Sequence, residues 1–250
     1  MTEPDPSLDA EVRRAEPDLW LSSRLVSEAA ARAALAALYG VHIELSKIAG
    51  AAKTALAGEI RLAWWREEAE ALAAGGRALG HPALQALRGA PGLDYAALDA
   101  MIEARHAELE PRPFLDEAAL LTYLDGVDGA LMRAAYGLLA GSVGDAPLTQ
   151  TARAWGWARL MRERPAWRSR ARDWTPAGWG DLTGGEIAAH ARHRIADALD
   201  AAKPEISGAP VSAFPAVAHA TLVKVYARGR HPSDLERRIR LLWASLRGRI

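Results

Sequence analysis

The sequence predicts an all-α, single-domain protein, and three observations carry that expectation. Apolar residues recur at helical spacing through most of the chain, while strand-type alternation is almost absent. Two S/T-x-x-E capping boxes, Thr183 to Glu186 and Ser233 to Glu236, mark helix starts. At 250 residues the chain is long enough to bury a substantial core, and it shows no internal repeat.

The elements follow in order. Residues 1–20, opening MTEPDPSLDAE, read as a flexible acidic N-terminal segment before a helical domain over 21–250. The opening lacks the basic start and apolar core of a secretory signal, so a cytoplasmic location is expected. A first helix runs from Ser27 through Tyr39 and on to about Ala52, and a second from Glu59 to Ala73, stopping at Gly75 and Gly76. His81-Pro82 opens a short helix. Asp94 caps another that continues through Leu109 until Pro111 and Pro113 end it. Asp116 starts a long helix to about Leu139, closed by Gly141. Thr149 to Arg164 comes next, with Pro165 expected to break it.

Trp167 to Asp181 reads as an irregular loop rich in Arg, Trp, Gly and Pro. The Thr183 box then opens a helix to Ala202 whose Ile187, Ala191, Ile195, Ala198 and Leu199 share one face. The longest uncharged stretch, Ile206 to Val223, is mostly Ala and Val and holds Gly208, Pro210, Pro215 and His219. A membrane span needs about 20 strongly apolar residues, so a buried helix from near Ser212 is the reading. The Ser233 box begins the last of some eight to ten helices.

Composition narrows the function. Thirty-one basic residues balance 31 acidic ones, so no global field favours nucleic acid. The absence of Cys excludes disulfides and thiolate zinc sites. No Ser-His-Asp pattern, glycine-rich phosphate loop or zinc signature is present.

Residues 58–68 read GEIRLAWWREE, a tandem Trp pair between arginines, soon after Ala37-Leu38-Tyr39. Gly80-His81-Pro82-Ala83-Leu84, the helix from Leu98 ending in Glu108-Leu109, a helix over Ala119 to Leu139 and the closing RLLWASLRGRI, Arg240 to Ile250, follow in turn. In this order the segments resemble the squalene/phytoene synthase family. The resemblance implies an isoprenoid-synthase-like helical bundle with a central cavity. It also implies two Asp-x-x-x-Asp motifs on facing helices, whose carboxylates hold magnesium against a departing diphosphate. Spacing of four places both acids of a motif on one helix face.

Those acids are missing. Ser46, Lys47 and Gly50 align with the first motif, with Glu44 the nearest carboxylate. Glu163 takes the first acidic place of the second motif and Trp167 the last. The chain more closely resembles a branch of the family lacking these motifs, which includes a mitochondrial respiratory complex I assembly factor and its bacterial relatives. Glu44-Leu45, Gly58 to Arg66 and Leu160 to Pro165 carry that likeness.

The resemblance therefore implies a non-catalytic protein acting as a binding or assembly factor of the complex I type. The alternative is a divergent magnesium-dependent prenyl-diphosphate transferase drawing its acids from Glu44, Glu163, Asp125 and Asp128. The candidate cavity or ligand-binding residues are Tyr39, Glu44, Arg61, Trp65, Arg162 and Glu163. No metal or cofactor is expected, with magnesium required only by the alternative. The expected partner is a protein, or an isoprenoid or anionic lipid, at the cavity or an Arg/Trp-rich surface. Peripheral contact with the inner membrane fits this expectation; nucleic acid does not.

Three features have plainer readings. Trp64 and Trp65 differ by about 100° around a helix, so one is expected in the core and the other at a groove; Arg61 is placed to stack on Trp65 or reach a phosphate. Arg159 to Arg172, interleaved with Trp155, Trp157, Trp167 and Trp174, reads first as a solvated loop plus core tryptophans, then as a lipid or partner contact. Glu186, His190 and His193 fall away from their helix's apolar stripe, which argues against a metal site. Asp125 and Asp128 read as a helix surface or a buried polar contact.

Overall fold

Spacing of apolar residues and local capping determine where the helices begin and how they pack. The computed structural model describes residues 6–76, 80–112, 114–141 and 148–250. The helices are α1 (Pro6–Ala15), α2 (Pro17–Ser23), α3 (Ala29–Ala51), α4 (Ala55–Ala73), α5 (Pro82–Ala86), α6 (Tyr95–Ala104), α7 (Glu117–Leu124), α8 (Ala130–Ala140), α9 (Thr149–Ser169), α10 (Gly184–Ala201), α11 (Lys203–Ser207), α12 (Val223–Ala227) and α13 (Asp234–Arg247). Short 3₁₀ turns at Arg105–Leu109, Ala177–Trp179, Val211–Ala216 and Ala218–Leu222 join them, and no strand occurs among the described residues.

The caps sit where the sequence places them. Asp94, Asp116, Thr183 and Ser233 each accept a first-turn amide, and Thr183 with Glu186 closes a reciprocal capping box. The second helix begins earlier than Glu59, at Ala55, capped by Thr54.

Three expectations are corrected. The segment over 1–20 is helical from Pro6: Leu8, Val12 and Leu19 enter the core and Asp18 is buried, which ties the segment down. Pro17 starts α2 rather than breaking it, because a first-turn proline has no intrahelical amide to lose. Pro165 does not end α9, which continues to Ser169 with the proline on its exposed side. The stretch from Ser212 is buried as expected, but it forms two 3₁₀ turns and α12 instead of one helix.

The core divides in two. One apolar cluster gathers α1 through α6 with α8; the other gathers α7, α9, α10, α12 and α13. Trp155, Trp157, Trp167 and Trp174 are all buried in the second cluster. Trp157 lies 6.1 Å from Trp174 edge-on and 6.0 Å from Trp179 in a stack. The tryptophans of this stretch are core residues, as its first reading has them, with arginines around them. No described helix is long and apolar enough to cross a membrane.

Candidate functional site

The helix α3 carries Tyr39, His42, Ser46 and Gly50; α9 carries Arg159, Arg162, Glu163 and Trp167. A chain of buried polar contacts joins them. His42 Nδ1 accepts from Arg105 Nη2 at 3.3 Å, and Arg105 pairs with Glu108 at 2.5 Å. The Tyr123 hydroxyl donates to the same Glu108 oxygen at 2.7 Å. Arg159 Nη2 reaches Tyr123 Oη at 3.4 Å and forks onto Asp128 at 2.9 and 2.8 Å, while its Nη1 holds Glu163 at 2.9 Å.

Local backbone geometry makes the Arg159–Asp128 fork fit. The α7–α8 helix passes through one π-helical turn, Asp125–Gly129, which re-aims Asp128 toward α9. On α9 the facing residue is Gly156, and a Cβ there would lie 2.7 Å from Asp128 Oδ2 and 2.9 Å from Leu124 Cδ2. Only a glycine allows that approach without displacement. Asp125 faces outward to Arg153, at 2.8 and 2.7 Å.

Electrostatics follow from burial. His42 is pushed well below the usual imidazole range by desolvation and then by the Arg105 charge, so it remains a neutral acceptor. Burial is the largest single influence on Arg159 and opposes its charge, but Asp128, Tyr123 and Glu163 together outweigh it and raise the guanidinium further. His219, 1 % exposed and edge-on to Trp155 at 4.6 Å, is driven down to about 3 by burial and then by Arg162. Half-buried Glu16, among Arg162, Glu163 and Asp18, is raised to about 7, chiefly by burial.

A third buried carboxylate, Asp18 on α2, gathers the chain ends. It accepts from Arg162 Nη1 at 3.3 Å, Arg237 Nε at 2.8 Å and the Tyr226 hydroxyl. Arg162 also lies over the Trp155 and Tyr226 rings, at 4.8 and 4.2 Å. Arg162, a candidate ligand group from sequence, thus joins α9 to α2 and α12, and Asp18 adds α13 through Arg237.

The candidate residues therefore separate. Tyr39 is fully buried, its hydroxyl without a partner among the described residues. Ser46 turns its hydroxyl to the Ile43 carbonyl at 2.7 Å, Gly50 lies beside Arg170, and Trp167 packs edge-on to Tyr123 at 6.4 Å. Glu44, Arg61 and Trp65 do converge, but outside the polar seam. They line a groove of about 580 Å³ between α3 and α4 with Lys47, Trp64 and His81. Glu44 is held by Lys47 at 2.5 Å. Trp65 is buried and Trp64 is 37 % exposed, as their angular separation requires. Arg61 is exposed and lines the groove; the ring against Trp65 is His81, at 5.0 Å.

The donors at the motif positions are a hydroxyl bound to its own helix, an ammonium, a bare glycine, a carboxylate engaged by Arg159 and an indole. Magnesium takes several hard oxygen ligands with ordered geometry, and this set does not fit it. Among the described residues no group of three or more His, Asp or Glu is placed to hold a metal ion. His190 instead contacts Glu117 at 3.1 Å, His193 contacts Asp197 at 3.5 Å, and Glu186 caps α10.

Sequence reasoning reached Glu163 and Asp128 but missed His42, Arg105, Tyr123 and the role of Arg159. The contacts that tie them together, His42 to Arg105, Tyr123 to Glu108 and Arg159 to Asp128, span 63, 15 and 31 positions and leave no local pattern.

Comparisons with known proteins bear on the fold and the family. Over 97% of this chain and 93% of the other, the fold matches squalene synthase HpnC from Alicyclobacillus acidocaldarius, at 17% identity and a TM-score of 0.69. A dehydrosqualene synthase solved with a ligand matches at 12% identity and a TM-score of 0.69, over 96% and 94% of the two chains. No curated protein gives a significant match. The squalene/phytoene synthase profile matches residues 12–163, more than half of the chain. That stretch runs from α1 into α9 and covers the first degenerate motif and the opening Glu163 of the second, so the chain belongs to the squalene/phytoene synthase family.

Proposed function

We propose that this chain is a non-catalytic member of its family, acting as a binding or assembly factor of the respiratory complex I type. One observation carries the reading: the buried carboxylates between the motif helices are bound by arginine. Asp128 is forked by Arg159, Glu108 is paired with Arg105, and Asp18 is shared by Arg162 and Arg237. A carboxylate committed to a buried guanidinium does not readily exchange it for a hydrated cation, because the arginine would remain as an unpaired buried charge. Ionising an allylic diphosphate by the family's metal-assisted route requires carboxylate oxygens free to hold magnesium.

The likeness of Gly58 to Arg66, Glu44-Leu45 and Leu160 to Pro165 to the branch without aspartate motifs supports the assembly role. The α3–α4 groove suits the partner. Trp64 and Ile60 offer apolar area, and Arg61, Lys47 and Glu44 offer charge at its edge. The buried tryptophans of α9 weaken any nucleic-acid reading, since bases stack only on accessible rings. A cytoplasmic location accords with this role.

The test is turnover of a labelled prenyl diphosphate by the purified protein with magnesium. No release of diphosphate is expected. Release that disappears in Glu163→Gln would overturn the proposal and restore the transferase.

A further inference from the structure

Surface helices of globular proteins usually turn one apolar side inward and a polar side outward. The last helix, α13, is apolar on both sides. Leu241 and Ala244 are buried, and Arg237 reaches in to Asp18. On the opposite side Leu235, Ile239, Leu242 and Leu246 recur at steps of four, three and four, which aligns them in one stripe. Trp243 lies on its edge. These five are 68, 47, 55, 73 and 54 % exposed, and they make up five of the 11 large apolar side chains that the described residues leave exposed.

The stripe is bordered by cations. Arg238 flanks one side; Arg240 and Arg247 flank the other, with the Arg247 guanidinium 4.6 Å from the Trp243 ring centre. The acids of this helix are already engaged: Asp234 by Arg237, and Glu236 by Arg240 and Arg230. Beside the helix end opens a groove of about 700 Å³ with Arg192, Lys203, Lys224, Arg228 and Arg249 on its rim against one acid, Asp200. Arg249 and Ile250 line both this groove and the one along α13, so the basic rim continues the basic flank.

We propose that α13 docks the protein on the surface of an anionic phospholipid bilayer. The leucine stripe lies among the outer acyl segments, to a depth of about 5–10 Å. Trp243 sits at the boundary between apolar and polar layers, where amphipathic rings are favoured. Arginines on both flanks extend their stems along the apolar layer and place their guanidinium groups at the headgroup phosphates. Charge complementarity selects the occupant, since the apolar stripe has cations along both edges. The inference is independent of whether the interior turns over a prenyl diphosphate.

The experiment is sedimentation of the full chain with vesicles, either phosphatidylcholine alone or with one third phosphatidylglycerol. The protein is expected to pellet with the anionic vesicles and to dissociate severalfold as salt rises and screens the arginines. Leu242→Glu and Leu246→Glu are expected to abolish pelleting, and Arg238→Ser with Arg247→Ser to reduce it severalfold. Unchanged circular dichroism and melting temperature would confirm that each variant folds. Equal pelleting of the parent and Leu242→Glu overturns the proposal. So does failure to pellet, including the case in which light scattering shows self-association that Leu242→Glu removes; that result assigns the stripe to a second copy.

Discussion

Helices α9 and α13 are both rich in arginine and tryptophan, and they use them in opposite directions. In α9, Arg153, Arg159 and Arg162 each reach an acid on another helix, and Trp155, Trp157 and Trp167 lie in the core. In α13 only Arg237 reaches a buried acid, while Trp243 is exposed beside a leucine stripe. Composition alone does not distinguish them. What separates them is whether a carboxylate from elsewhere in the chain arrives at the same place. Where a buried one does, as Asp128 and Asp18 do, the pair is drawn inside and interacts at low effective dielectric. Where none does, the guanidinium remains in water and its helix face is free to meet something else.

The largest test of this contrast is Arg159→Leu. The substitution leaves Asp128, which is wholly buried, without its fork. Removing one partner of such a pair costs about 3–5 kcal/mol, read as a lower urea midpoint. Arg240→Leu breaks a surface pair with Glu236 and is expected to cost about 0–1 kcal/mol. Equal losses would mean that α9 and α13 do not differ as described.

Within α13 the two sides can be separated with neighbouring leucines. Leu241, 2 % exposed, packs in the second core cluster, and Leu241→Ala is expected to cost about 2–5 kcal/mol in chemical unfolding. The range reflects how far the core closes over the lost methyl groups.

Much of this architecture was legible beforehand, and the failures have physical causes. Asp94, Asp116, Thr183 and Ser233 announced their helices because capping is local. Helices α1 and α2 were hidden because prolines and acids masked Leu8, Val12 and Leu19, which become core residues only through tertiary contact. Absent motif acids at Ser46, Gly50 and Trp167 were visible in the sequence, since a missing residue type needs no fold to be noticed. The replacement network was not. Asp128 and Arg159 are 31 positions apart, and nothing in either segment names the other. The stripe of α13 was legible as a spacing, but an amphipathic period does not say which side faces inward when both sides are apolar.

Titration offers a finer probe of the interior. Glu16, raised from 4.5 to about 7 mainly by burial, is favoured in its neutral form by the fold. Its contribution is therefore complete below pH 4.5 and is lost as pH climbs to 7. His219, lowered from 6.5 to about 3, acts in the opposite sense: its contribution is complete above 6.5 and falls as pH drops toward 3. Glu16→Gln isolates the carboxyl, because the histidine contributions are common to both proteins. The variant should gain on the parent from pH 4.5 to 7 and then hold a constant lead of about 1–2 kcal/mol, reduced for the partial exposure of Glu16. A lead that does not vary with pH would show that Glu16 titrates normally.

The smallest expected effect completes the contrast within α13. Leu242 is one residue from Leu241 and 55 % exposed, on the side away from the core. Leu242→Ala removes area that the fold does not bury, and alanine supports a helix at least as well as leucine. Stability in urea should stay within about 0.5 kcal/mol of the parent. A loss near that of Leu241→Ala would mean that the stripe is already packed against the protein in solution, and it would then be unavailable to a bilayer. A negligible loss, together with impaired vesicle sedimentation by the same variant, would show that the face serves contact outside the fold.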